Sequence, residues 1–214
     1  MKIDKLWNGL KQIANGDYVL EGDLISDETI EIDLDDRLVI KGTIKSGRNI
    51  VARCGIEAGG GIKAGCGIEA GCGIESGCGI EAGGGIKAGC GIEAGWGIKA
   101  GCGIEAGWGI EAGDGIEAGD GIEAGGGIKA GCGIEAGWGI KAGCGIEAGW
   151  GIEAGDGIEA KTFINASKRI FAGISLYRTS KDCNKIIRCA ELRNGEICYG
   201  DLTITENGGS PDES

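Results

Sequence analysis

From Ile32 to Leu176 an aliphatic residue occupies every sixth position, through Leu38, Ile44, Ile50 and Ile56 and onward without a break, 25 consecutive hexads in all. Between Cys54 and Ala160 the polar and small positions are fixed as well. Gly precedes the Ile, Glu or Lys follows it, then come a small residue, a second Gly, and one position that varies. The stretch "GCGIEAGWGIKAGC", residues 89 to 102, shows the pattern and poses its question: why only that sixth residue changes. Block 84 to 119 closely matches block 126 to 161, an offset of 42 residues or seven hexads, as duplication of a gene segment would leave it.

Six is not a helix period, and glycine at two positions in six would cost an α-helix about 1 kcal/mol each relative to alanine. The pattern fits a coil of short strands, each placing one aliphatic side chain inward, with a glycine expected to supply a φ > 0 corner. The motif resembles the hexapeptide-repeat β-helix over about residues 32 to 176, with Ile at the core position and Gly three residues later. That resemblance implies an all-β, single-stack β-solenoid, left-handed; a three-sided coil would take 18 residues, so that position i stacks on i+18, and a two-sided coil 12.

Twelve residues per coil is the competing register, and charge separates the two. At 18, Lys63 meets Glu81, Lys87 lies between Glu69 and Glu105, and Lys99 lies between Glu81 and Glu117. Lys129 falls between Glu111 and Glu147, and Lys141 between Glu123 and Glu159, so that every lysine of the regular stretch is expected to be flanked only by glutamate. At 12, Lys87 would stack on Lys99 and Lys129 on Lys141, and like charges opposite one another are unfavourable. Twelve would, however, stack Trp96 on Trp108 and Trp138 on Trp150. The charges favour 18.

Both ends read as caps. In residues 1–31, positions 3 to 14 place Leu6, Leu10 and Ile13 on one helical face, with Asn15-Gly16 as a stop signal, which predicts a short N-terminal helix. Residues 32–176 form the solenoid. In residues 177–205, "IIRCAEL" and "EICYGDLTI" flank Asn194-Gly195, which predicts a hairpin. Residues 206–214, "ENGGSPDES", read as a disordered acidic tail.

Composition then narrows the chemistry. Forty-eight glycines with one proline among 214 residues lie far outside ordinary globular usage, but the glycines lack the every-third spacing of collagen. No apolar run approaches the roughly 18 residues that mark a membrane-spanning helix, and the N-terminus carries no signal-peptide pattern, so a cytoplasmic protein is expected. Eleven cysteines suggest metal, yet Cys66, Cys72 and Cys78 follow the repeat rather than a ligand knuckle, and there is no histidine. We therefore expect no metal and no cofactor; stacked disulfides stay open for an exported protein. Many hexapeptide-repeat proteins are acyltransferases with a histidine general base, and the missing histidine breaks that carry-over. No enzyme activity is expected.

The varying position holds Gly60, Cys66, Trp96, Asp114, Asp120 and Trp138, and no packed interior site accepts all of these. It should point outward or sit at a roomy corner. Trp96, Trp108, Trp138 and Trp150 are then exposed, either as binding anchors or as surface cover. Residues 51 to 160 carry a net charge of −10 out of the chain's −12. Six coils at about 4.8 Å span roughly 29 Å, one net negative charge per about 3 Å, against one per roughly 1.7 Å in duplex DNA. Such a rod repels nucleic acid and attracts proteins that bind it. The expected function is a non-enzymatic acidic inhibitor or decoy of a basic nucleic-acid-binding protein, as acidic pentapeptide-repeat proteins and some phage anti-restriction or anti-CRISPR proteins are. The candidate binding residues are Trp96, Trp108, Trp138, Trp150, Glu105, Asp114, Asp120, Glu123, Asp156 and Glu159. The alternative is a self-assembling scaffold, because "VIKGTIKSGRNIVARCGIEAG" is faintly similar to the bactofilin type of polymer-forming β-helix.

Overall fold

Each hexad makes one three-residue strand followed by a corner. In Ile92–Ala94 the Ile and the Ala point inward and are buried while Glu93 between them faces solvent, and the same buried-exposed-buried order recurs along the repeat. The computed structural model describes residues 1–173 and 184–205, and in them the chain is a β-solenoid with thirty strands and no helix. The core is a stack of Ile and Ala columns, each Ile about 2% exposed or less. Burying an Ile of this kind contributes roughly 1.5–3 kcal/mol, which offsets the cost of ordering so glycine-rich a backbone.

The strands stack in parallel with a register of 18. Ile56 sits under Ile74, and Ile74 under Ile92. Three faces result. The first carries the strands that begin at Leu38, Ile56, Ile74, Ile92, Ile110, Ile128 and Ile146. The second begins at Ile44 and continues through Ile62 and Ile80 to Ile152. The third runs from Ile50 through Ile68 and Ile86 to Ile158. The expected lysine–glutamate neighbours are present, with one exception: Lys63 has Glu81 on one side and Lys45 on the other. The twelve-residue stack of Trp96 on Trp108 does not occur.

Glycine is required by close approach and not by backbone sign. No repeat glycine has a positive φ; among the described residues only Gly9, Gly16, Gly22, Gly173, Gly195 and Gly200 do. The expected left-handed corner is therefore absent from the repeat. Instead the glycine after each Ala stacks directly on the coil before it, and a Cβ at Gly131 would lie 1.9 Å from the Gly113 carbonyl oxygen. Ser replaces Ala inward at Ser46 and Ser76 without leaving a polar group unpaired. Ser76 Oγ donates to the Gly60 carbonyl at 2.7 Å.

Both ends differ from expectation. The N-terminal helix does not form: Lys2–Ile3 pairs in parallel with Glu31–Ile32, and Leu10–Gln12 folds back antiparallel on Tyr18–Leu20. Leu6, expected on a buried helical face, is 92% exposed, and Ile13 is exposed too. Gly9, at φ +100°, interrupts the helical span. A segment this short is marginal as a helix, whereas the open edge of Tyr18–Leu20 supplies a full set of backbone partners. Asn15-Gly16 is the turn of this hairpin, with Asp17 N donating to Asn15 Oδ1 at 3.1 Å. The first coil is longer than those of the repeat: Tyr18 registers with Leu38 and Ile30 with Ile50, i on i+20, and Ile32 stacks on Ala52 rather than on an Ile.

The C-terminal hairpin is absent as well. Asn194 and Gly195 lie inside the single strand Glu191–Tyr199, which runs parallel to Phe163–Ala172. Gly195 does adopt the positive φ that a hairpin turn would need, at +123°, but it turns a corner of the coil instead of reversing the chain. Ile187 then registers with Leu202 in parallel, i on i+15, so the last coil is shorter than those of the repeat. Leu176 and the tail 206–214 lie outside the described residues.

Candidate interaction faces

The varying residues form three edges between the faces, each stacked by a backbone hydrogen bond from one coil to the next. Gly60, Cys78, Trp96, Asp114, Cys132, Trp150 and Lys168 make the edge between the first and second faces. Cys102, Asp120, Trp138 and Asp156 belong to the edge between the second and third. Cys54, Cys72, Cys90 and Trp108 belong to the edge between the third and first. The position is outward as expected, except that Cys54, in the coil nearest the N-terminal hairpin, is buried.

The candidate residues consequently divide. Trp96, Asp114 and Trp150 share one edge, Asp120, Trp138 and Asp156 a second, and Trp108 stands on the third. Glu105, Glu123 and Glu159 share the outward row of the third face, where Trp138 and Asp156 border the same shallow groove. All four tryptophans of the repeat are more than half exposed, from 51% at Trp138 to 70% at Trp108. They do not form one cluster. Trp150 additionally carries the Lys168 ammonium 4.6 Å from its ring centroid.

Charge is also distributed unequally, in a way that residue counting alone hid. The third-face row reads Glu69, Lys87, Glu105, Glu123, Lys141, Glu159 and Arg188 and is almost balanced. Its cations pair along the row, Lys87 with Glu105 at 3.1 Å, Lys141 with Glu123 at 3.5 Å and Arg188 with Glu159 at 3.7 Å. The first-face row reads Glu57, Glu75, Glu93, Glu111, Lys129 and Glu147. Four glutamates follow one another there, one per coil, about 4.8 Å apart.

Cations close that ladder only at its ends. Arg37 reaches Glu57 at 2.7 Å and Glu75 at 3.7 Å, and Lys129 reaches Glu111 at 2.9 Å. The hydrogen bond to Asp17, with the carboxylates of Glu57 and Glu75, raises the Arg37 pKa above its ordinary value. The hydrogen bond to Glu111 raises that of Lys129. Glu93, in the middle, has no ion pair among the described residues. Trp108 flanks the ladder on one edge, lining a groove with Glu75, Glu93 and Glu111, and Trp96 follows Glu93 on the other edge.

The ladder Glu57–Glu75–Glu93–Glu111 is what reading the sequence missed. The arithmetic of i and i+18 that identified the lysine neighbours also places these four glutamates in line, had it been applied to runs of like charge. Among the described residues no group of three or more Cys, Asp or Glu is placed to hold a metal ion, and the ten described cysteines are free thiols. No described helix is long and apolar enough to cross a membrane. Comparison of the chain with protein families, with curated proteins and with solved structures finds no match.

Proposed function

We propose that the rod is a non-enzymatic acidic ligand for a basic nucleic-acid-binding protein, which it inhibits or diverts by occupying the groove meant for nucleic acid. The observation that supports this reading most is the first-face ladder, Glu57 to Glu111, with Trp96 and Trp108 on its two edges. Its carboxylates recur about every 4.8 Å, comparable with the roughly 3.4 Å axial rise between phosphates of one DNA strand, on a scaffold whose coil stacking fixes their spacing. Parallel rows of Lys and Arg in the partner would meet the carboxylates while the indoles contact apolar surface beside the groove. The proposal includes a cytoplasmic site of action and a left-handed coil, and its biological setting is that of phage proteins directed against host defence. A bactofilin-like polymer would need both ends to join, and the hairpin covers the N-terminal one.

The test is a pull-down of nucleic-acid-binding proteins at about 50 mM and about 500 mM salt, since binding through many charges falls steeply over that range. Glu75→Lys with Glu93→Lys on the first face should weaken capture more than Glu105→Lys with Glu123→Lys on the third. Trp108→Ala should weaken it by shortening the lifetime of the complex, with little dependence on salt. Capture of no basic protein under any condition would end this reading.

A further inference from the structure

We propose that the C-terminal end of the rod is a self-association surface on which a second copy of this chain docks end to end about a two-fold axis. The core columns stop there without a lid among the described residues. On the third face Ile158 stacks on Ile187 and Ile187 on Leu202. The first two are 1% and 0% exposed, and Leu202 is 41% exposed. In the neighbouring column Cys189 registers with Ile204, with exposures of 0% and 51%. Leu202 and Ile204 thus occupy interior positions of the solenoid and lack only the next coil above them. The N-terminal end is different: Ile3 and Leu24, also terminal members of their columns, are 0% and 4% exposed, and Met1, Trp7 and Leu10 pack against the core beside them.

The backbone is open in the same place. Asp201–Ile204 pairs only with Ile186–Cys189, and Glu191–Tyr199 only with Phe163–Ala172, so both present a free strand edge among the described residues. Exposed edges of this kind are templates for another strand. The occupant should be a second copy because the charge at this end permits it. Lys185, Arg188 and Arg193 balance Glu191, Glu196 and Asp201, so residues 184–205 are neutral in a chain of net charge −12. Two acidic rods repel side by side, but their C-terminal ends do not. A two-fold arrangement pairs Asp201–Ile204 antiparallel with its own copy and sets Leu202 and Ile204 of each chain against those of the other, the isologous contact that closes a dimer and stops. The chain's own tail is a poor lid, since Pro211 is its one apolar side chain among residues 206–214. This inference does not depend on the proposed partner.

The experiment measures mass by sedimentation from low to high micromolar concentration, together with amide exchange of residues 201–204 in the unaltered protein. A particle of twice the 21.6 kDa chain mass, with protection of these amides rising as the dimer forms, is the expected result. Leu202→Asp with Ile204→Asp should return the single-chain mass. A single-chain mass throughout, with protection independent of concentration, would mean that this chain covers its own end through residues 174–183 or 206–214, and would overturn the proposal. So would open-ended filaments, or a dimer that survives the double substitution. If that variant does not fold, the concentration dependence of exchange in the unaltered protein still decides.

Discussion

Gly131 sits directly over Gly113, so close that a Cβ on Gly131 would stand 1.9 Å from the Gly113 carbonyl oxygen, with the Gly113 carbonyl carbon at 2.9 Å. Neither contact is with a side chain that could swing away. Two residues on, Gly133 is the other glycine of the hexad, and a Cβ there would meet only the Gly151 carbonyl oxygen at 3.5 Å.

Substituting alanine at these two positions should therefore give opposite results. Gly131→Ala must push one coil away from the next, and forced overpacking of this sort costs on the order of 1–3 kcal/mol. Gly133→Ala fits without strain and restricts the unfolded chain, so it should be neutral or stabilise by up to about 1 kcal/mol. Denaturant unfolding of both variants beside the parent chain checks this, and equal destabilisation would show that the two glycines are needed for one common reason.

The pair also shows what was legible in the sequence and what was not. Periodicity places Ile56, Ile74 and Ile92 in one column because each hexad must bury its aliphatic residue against the next coil, and lysine–glutamate spacing selects 18. The glycines were legible as a requirement, but their cause was not: a letter G does not distinguish left-handed backbone from a tight stack. The ends misled for a related reason. Leu6, Leu10 and Ile13 have helical spacing, but spacing does not reveal that the edge of Tyr18–Leu20 is open to pair with Leu10–Gln12. Asn194-Gly195 signals a positive φ correctly, and a positive φ can turn a corner as readily as it reverses a strand. The period of five in Ile187, Leu192, Ile197 and Leu202 was there to be found. The candidate residues on the third face were chosen by type, and only the register separates that balanced row from the first-face ladder.

Thiol reactivity should follow position in the coil. Burial raises the thiol pKa of Cys54 and of Cys189 above the ordinary value, so each holds less thiolate at neutral pH and offers it to no solvent. Cys66, Cys72, Cys102, Cys144 and Cys198 are exposed. Alkylation at neutral pH, mapped by mass spectrometry, should modify the exposed five at least about 10-fold faster than Cys54 and Cys189. Rapid labelling of Cys189 in the folded protein would mean that the coil beneath the C-terminal end opens.

Acid should loosen the N-terminal end first. Lys2 binds Asp33 at 2.8 Å and Lys5 binds Asp35, while Arg53 stands 3.6 Å from Asp33 and 3.8 Å from Asp35. The hydrogen bonds from Lys2 and Lys5, with their positive charge, hold both carboxyls below the usual carboxylate range. A carboxyl lowered on folding stabilises the fold fully above its unfolded pKa of about 3.9, and that contribution is lost as pH falls through the lower folded value. The protection of the amides of residues 1–12, taken relative to their intrinsic exchange at each pH, should therefore fall below about pH 4 before the Ile-lined middle of the rod responds. Asp33→Asn with Asp35→Asn should produce that fraying already at neutral pH.

The last expectation sets the stability of the rod against its proposed use. Glu93 stacks between Glu75 and Glu111 with no cation paired to it among the described residues, and like charges directly opposite on neighbouring strands are destabilising. Removing its charge should help the fold. Glu93→Gln is expected to stabilise by roughly 0.2–1 kcal/mol at low ionic strength, and the gain should disappear towards 1 M salt, where the screening length falls to about 3 Å. Lys99, which donates to Glu117 at 2.7 Å, should behave in the opposite sense, Lys99→Gln lowering stability at low salt and converging on the parent chain at high salt. Binding should then reverse the order, with Glu93→Gln the more stable protein and the weaker ligand for a basic groove. A row of charges that weakens the scaffold carrying it is what a binding surface would retain and a purely structural surface would not. If Glu93→Gln raises stability and leaves capture of the basic partner unchanged, the first-face ladder is not the contact surface.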